Sequence, residues 1–404
     1  MKPREVAFLL ILLFLVAIGF IGAYQMHFQP VMPVEPFESA LGYPWRLLVA
    51  LYVFLVLIGT AAIASAGELL MVRELEHVLK EAILIAIVTI AVGLITIAVD
   101  LERVERGSYA LLGHTNAASV MYWMIMFYVL ELLFLILEGW FVFRSDLLKQ
   151  SERKSFKGFV AKIISLKFLG SFFAKPNKHL DMSFARAIGV LALLTAILAY
   201  SNLGALFSAT HIALWNDASN PVYFVVTAVI SGSAMLILVI IVTSWIKGEE
   251  SRKLEALPIL RKVLLFSLLS ASLFALWKSV IIGYPAISAE GSNLIQNLLF
   301  RKFALNFWFL EIFVGIIAPV LILLFATKNM DALFVASFLA LVGIFAFRID
   351  FVFSAQVVKK ISGVSIPTSV HPFEVMFAIG VLALALLLYY VLYKLLPMEV
   401  EHEA

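Results

Sequence analysis

NAASVMYWMIMFYVLELLFLILEGWFVF, residues 116–143, is long enough to cross a bilayer as a helix, yet it carries Glu131 and Glu138. The two lie seven residues apart, two helical turns, which puts them on one face and about 10 Å apart along the axis. A carboxylate in hydrocarbon is costly unless it is neutral, paired or facing a polar cavity, so this pair singles the segment out. The stretch also has an echo. Phe127-Tyr128-Val129-Leu130-Glu131 returns as Phe307-Trp308-Phe309-Leu310-Glu311, again inside an apolar segment.

Across the whole chain, the 404 residues are 63% hydrophobic and 14% charged, with a mean hydropathy of +1.03. A soluble domain carries about 25% charged residues, so the class is an all-α polytopic membrane protein. There is no cysteine, which excludes disulfides, thiolate ligation of iron–sulfur clusters and covalent c-type haem within this chain. No soluble domain, glycine-rich nucleotide loop, HExxH or CxxC motif is present.

Ten segments qualify as spanning helices, at about 6–24, 45–70, 82–99, 119–143, 184–206, 221–246, 259–282, 303–325, 331–349 and 372–396. The first follows Lys2 and Arg4 but lacks a small-x-small cleavage site near Ala23, so it is expected to be retained. Ten spans put both termini on one side. That side, with the connections 144–182 and 247–262, holds twenty basic residues against eight on the other. The positive-inside rule makes it the cytoplasmic side of the cell membrane. Within the first connection, residues 156–173 interleave Phe and Ile with Lys157, Lys162 and Lys167, the pattern of an interfacial helix on anionic headgroups.

The echo extends to a repeat. Pro44 and Pro221 open segments 2 and 6 with an offset of 177, and Glu131 and Glu311 differ by 180. Segments 2–5 and 6–9 therefore read as two parallel four-helix repeats, with segments 1 and 10 peripheral. The expected divisions are residues 1–44, a first bundle over 45–206, a second over 221–353, and a C-terminal helix and tail over 354–404.

Sorted by depth, the ionisable residues form a ladder. Asp100, Arg103, Arg348, Asp350 and Glu374 sit toward the outer side, Lys278 and Glu311 below them, then Glu131 and Glu138, and Glu68 near the inner end of segment 2. Pairing with neighbours, for instance Arg348 with Asp350, would explain single residues. A file from one face to the other reads better as a proton path. None of the seven histidines lies inside a span, so a bis-His haem cannot be assembled in the core. His114 and His371 stand at outer mouths. The outer connections hold most of the irregular polar sequence, as a partner subunit docking there would require.

These residues resemble the NrfD/PsrC family, the quinone-reactive membrane subunits of polysulfide reductases, and its HybB-type branch from hydrogenases in particular. The resemblance rests on Gly42-Tyr43-Pro44-Trp45, on Asp100-Leu101-Glu102-Arg103, and on Gly113-His114, Asn116 and Ser119. It continues through Glu311 to Pro319, Arg348, Pro367-Thr368 with Glu374 and Gly380, and Lys394-Leu395-Leu396-Pro397, covering about residues 40–397. The sequence departs from the family at Glu102, where glycine is usual, and at Tyr200-Ser201-Asn202, where the HybB type has histidine and glutamine. The resemblance implies a haem-free chain of two four-helix bundles that exchanges electrons with a separate iron–sulfur subunit on the extracytoplasmic face. It also implies a quinone bound near that face.

The expectation is thus the membrane subunit of a respiratory oxidoreductase complex of hydrogenase or sulfur/polysulfide reductase type. A hydrogenase or molybdopterin-type subunit would be the catalytic partner, with no nucleic acid involved. Asp100, Arg103, His114, Arg348, Asp350 and Glu374 would hold a menaquinone-like quinone. Glu68, Glu138, Glu131 and Glu311 would carry protons. The rival is a proton-coupled secondary transporter, against which stands the absence of a clear helix break at mid-depth. A passive anchor with structural glutamates is the third reading.

Overall fold

The computed structural model describes residues 3–28, 46–101, 116–169, 177–247, 252–284, 289–326, 329–356 and 370–398. Among them, ten helices are long and apolar enough to cross a membrane, and the chain is a multi-pass helical membrane protein. They are α1 (Pro3–Phe28), α2 (Arg46–Val56 and, after a break, Thr60–Leu69), α3 (Leu79–Asp100), α4 (Val120–Ser151) and α5 (Lys178–Ser208). The others are α6 (Asn220–Lys247), α7 (Leu257–Gly283), α8 (Asn306–Ile317 continued by Ala318–Phe325), α9 (Met330–Ser354) and α10 (Pro372–Leu395).

Burial orders the helices. The apolar window of α2 is 89% buried and that of α1 only 17%, so α2 is central and α1 faces lipid. Helix α2 packs on α3 and α5, and α4 packs on α5. The second set pairs alike: α6 on α7 and α9, and α8 on α9. Across the two sets, α2 meets α9 and α6 meets α5. Helix α1 packs chiefly on α10, backbone to backbone, because a Cβ at Gly19 would lie 2.5 Å from the Gly380 Cα.

Two irregularities depart from the expectation. First, α2 is broken at Leu57–Gly59, which corrects the reading that no helix is interrupted at mid-depth. The freed backbone groups are taken up by α6: the Gly59 N–H donates to the Ala228 carbonyl at 3.3 Å, and the Ser231 hydroxyl donates to the Leu57 carbonyl at 2.6 Å. Such satisfaction is what makes a break tolerable in a bilayer. Second, residues 306–317 of α8 are wound as a π-helix, and Pro319, lacking an N–H, stands two residues beyond it. Wide helical turns of this kind recur at functional sites, and this one carries Glu311.

Helices α4 and α5 also run further than the apolar runs suggest, so only 152–177 of the 144–182 connection lies between them. The extension has a cause: Arg144 and Asp181 are each 1% exposed and form an ion pair. Beyond it, Phe156–Ile164 is a helix capped by Ser155, whose Oγ accepts the Gly158 N–H at 3.1 Å. Gly158 and Ala161 are buried, while Phe156, Phe159 and Ile163 point outward.

Candidate functional site

The face of α4 that meets α5 carries a polar residue every seventh position: Glu131, Glu138 and Ser145. Each is buried, and each has a counterpart on α5. At the end nearest the basic connections, the Ser145 hydroxyl donates to Asp181 Oδ2 at 3.2 Å, and Arg144 pairs with Oδ1. One rung up, Glu138 lies against Gly189, where an added Cβ would come within 2.8 Å of Oε1. Ser65 of α2 donates its hydroxyl to that oxygen at 3.2 Å. At the third rung, Tyr200 donates its phenol to Glu131 Oε1 at 2.8 Å.

One oxygen of each glutamate, Oε2, is buried without a hydrogen-bond partner among the described residues. The same holds for the Tyr128 hydroxyl. Tyr128, wholly buried, lies among Tyr52, Tyr200, Glu131 and Arg348, with its ring 6.4 Å from that of Tyr52.

Arg348 stands where the two sets of helices meet. It is wholly buried, and its Nη2 donates to the Thr227 hydroxyl at 2.6 Å. Its guanidinium stacks over Phe224 and Phe347 at 4.7 and 4.9 Å. It does not pair with Asp350, contrary to the simplest expectation, and its Nε and Nη1 have no hydrogen-bond partner among the described residues. Asp350 instead faces Glu311, and the two line a cavity of about 50 Å³ with Lys278 and Tyr223. On its other side Lys278 reaches Asp217 at 3.7 Å and bonds to Asn220.

Glu68 lies at the opposite end of the file. It is 7% exposed, neither of its oxygens has a hydrogen-bond partner among the described residues, and it lines a cavity of about 620 Å³.

Of the four glutamates expected on a proton path, all are therefore buried, and Glu68 and Glu138 both adjoin Ser65. Of the six expected quinone residues, four lie among the described ones. Arg103 and His114 lie outside the described residues, as do Gly42–Trp45, Glu102, Gly113 and Pro367–Thr368. Asp100 ends α3, half-buried. Arg348 and Asp350 belong to the central cluster beside Glu311. Glu374 is employed elsewhere: Oε1 accepts the His371 N–H and Oε2 the Leu47 N–H, both at 3.0 Å, so it caps α10 and ties it to α2. Sequence reasoning missed Ser65, Tyr128, Tyr200 and Thr227. Only Tyr200 carried a signal, as a departure from the family pattern.

A bundle of ten helices with acids, phenols and an arginine strung through its interior defines a multi-pass membrane protein built around buried ionisable groups. The chain belongs to the family described as polysulphide reductase, NrfD, whose pattern matches residues 35–361. That match covers α2 through α9 and leaves out the whole of α1 and of α10. The chain is also similar to a selenate reductase subunit of Mesobacillus selenatarsenatis, with 22% identity over 374 residues, 87% of this chain and 85% of that protein.

Proposed function

We propose that this chain is the quinone-reactive integral membrane subunit of a respiratory reductase or hydrogenase-type complex, and that it couples the quinone reaction to proton uptake. Family membership supports a membrane subunit of a reductase complex, and the relative, itself one subunit of a selenate reductase, points to a multi-subunit assembly. The observation that carries the proton part is the file itself: Glu68, Glu138, Glu131 and Tyr128, each with a buried oxygen that has no hydrogen-bond partner among the described residues. Buried polar atoms of this kind are held by water or change partners, and a series of them is what a proton relay requires.

When bound, a quinone supplies two-electron, two-proton chemistry at the membrane. The cavity at Glu311 and Asp350 does not fit its ring. At about 50 Å³ it has room for a few water molecules, each needing about 10–15 Å³ of such volume. Arg348 and Asp350 are accordingly proposed as charge- and proton-handling groups beneath the quinone rather than contacts to it. The contacts would fall to Asp100, Arg103 and His114 at the outer end. In this reading Glu311 and Asp350 pass protons outward, and Lys278 holds the outer end of the file between that pair and Asp217.

The transporter reading gains one observation, the break in α2, since interrupted helices form ion sites in transporters. Here, however, the Leu57 carbonyl and the Gly59 N–H are already bonded to α6. Purification of the tagged protein in mild detergent separates the readings. Co-purification of an iron–sulfur subunit with a hydrogenase or molybdopterin-type subunit is the expected result. A stable chain on its own would favour the transporter. If Glu131→Gln and Glu138→Gln both leave turnover and membrane-potential generation intact, the proton path is wrong.

A further inference from the structure

The cavity of about 620 Å³ at the inner end of α2 has a feature that the file of glutamates alone does not supply. Its wall includes Glu68, 7% exposed with neither oxygen partnered among the described residues, and Ser65, 4% exposed. Arg73, Glu76, His77 and Arg186 stand at its rim beside the apolar Leu69, Met71 and Val190, with Arg186 donating to Glu76 at 3.3 Å. The space accommodates a cluster of water, each molecule taking about 30 Å³ of liquid volume. The Ser65 hydroxyl belongs to this wall and at the same time donates to Glu138 Oε1 at 3.2 Å. One side chain thus separates a wide cavity with charged groups at its rim from the second rung of the α4–α5 file.

We infer that this cavity is the aqueous uptake mouth for protons on the face carrying the basic connections, and that Ser65 relays them to Glu138. The inference rests on the proton-path reading above and gives it a point of origin. A hydroxyl donates and accepts at once. As its proton passes to Glu138 Oε1, its oxygen takes one from a water or from Glu68 in the cavity, so one O–H bond forms for each that breaks. Glu68 collects the proton at the cavity wall. The narrow approach between α4 and α5 at Gly189 keeps Glu138 turned toward Ser65, since any side chain there would displace its carboxylate.

The chain has no cysteine, so single-cysteine variants report directly on water access. Val190→Cys at the cavity wall, Ser65→Cys at its floor and Leu194→Cys on the outward face of α5 would be made in the intact complex in oriented membrane vesicles. Each would be treated with a charged, membrane-impermeant maleimide. Only a thiol in contact with water ionises to the reactive thiolate, so the first two should label about tenfold faster than Leu194→Cys, from the basic face alone. Labelling of Ser65→Cys no faster than Leu194→Cys, or only from the other face, overturns the uptake mouth. This readout needs no turnover, so it stands or falls apart from the proton-path reading. For the relay, Ser65→Ala should lower the maximal turnover with the KM for quinone unchanged, and Ser65→Thr should restore it. Full turnover in Ser65→Ala overturns the relay.

Discussion

Asp181→Asn removes the charge from a pair that the structure buries completely. Arg144 and Asp181 are each 1% exposed, Arg144 lies 5.3 Å over the Trp140 ring, and Ser145 holds the second carboxylate oxygen at 3.2 Å. The substitution takes the charge from one half of a buried ion pair, which costs about 3–5 kcal/mol. Spread over a chain of 404 residues at the usual unfolding entropy, a loss of that size lowers the midpoint of thermal unfolding by about 5 °C. Arg144→Met should cost as much, because it strands the carboxylate instead. The double variant Arg144→Met/Asp181→Leu should return close to the parent, since apolar residues of similar volume replace a buried pair at little net cost. The assay is a double-mutant cycle on detergent-purified protein, read by thermal unfolding of each variant. Two single variants each within about 1 kcal/mol of the parent would show that the pair is solvated, as surface pairs are. The packing of α4 on α5 at the end nearest the basic connections would then need another explanation.

Three further outcomes follow from the same geometry. Tyr200→Phe deprives Glu131 Oε1 of its phenol partner in a fully buried site, and should destabilise by about 1–3 kcal/mol in the same unfolding assay. It should also slow turnover, whereas an unchanged melting curve would mean that water replaces the phenol. Gly232→Ala puts a Cβ 2.6 Å from the Gly59 carbonyl carbon, a collision with backbone that cannot turn aside, and should cut the yield of folded protein or cost about 1–3 kcal/mol. Gly380→Val drives a side chain into the Gly19 backbone and should loosen α1, exposing it to protease, while turnover through α2–α9 persists. Loss of turnover in that variant would give α1 and α10 a part in the chemistry.

How much of this is legible in the sequence depends on whether the determinant is local. Spanning segments announce themselves in apolar runs, and each of the ten expected segments coincides with an observed helix. Glu131 and Glu138 stand out because two carboxylates at a seven-residue spacing have few explanations in a bilayer. Ser145, one heptad further on, looks like loop sequence after the apolar run stops at Phe143. The Arg144–Asp181 pair is invisible for a related reason: counting basic residues by side fixes topology but treats every arginine near an end as solvated. The break in α2 has no proline to mark it, and the Ser231 hydroxyl that stabilises it is 174 residues away from Leu57. Glu374 is the opposite case. Pro372 at the first helical position with an acid in the first turn, Glu374, is a helix-start signal. Weighing the depth of the acid ahead of its capping geometry is what assigns it to quinone.

The position of the break bears on which motions the molecule permits. In hydrocarbon an open backbone group must find a protein partner, so a helix in contact with lipid cannot be interrupted without cost. The chain breaks the helix that is most enclosed, and the partners come from α6, the helix that opens the second set of four. If the two sets are a duplication, as we propose, their first helices are stapled together at the centre by the Gly59 N–H, the Ser231 hydroxyl and a contact too close for any side chain. Alternating access by rocking one half on the other would have to break those bonds inside the membrane. A relay asks for no such motion, because protons pass between fixed groups by hydroxyl and carboxyl reorientation and Arg348 supplies a stationary charge where the halves meet. The break that gives the transporter reading its one attraction is therefore closed by bonds that argue most directly against it.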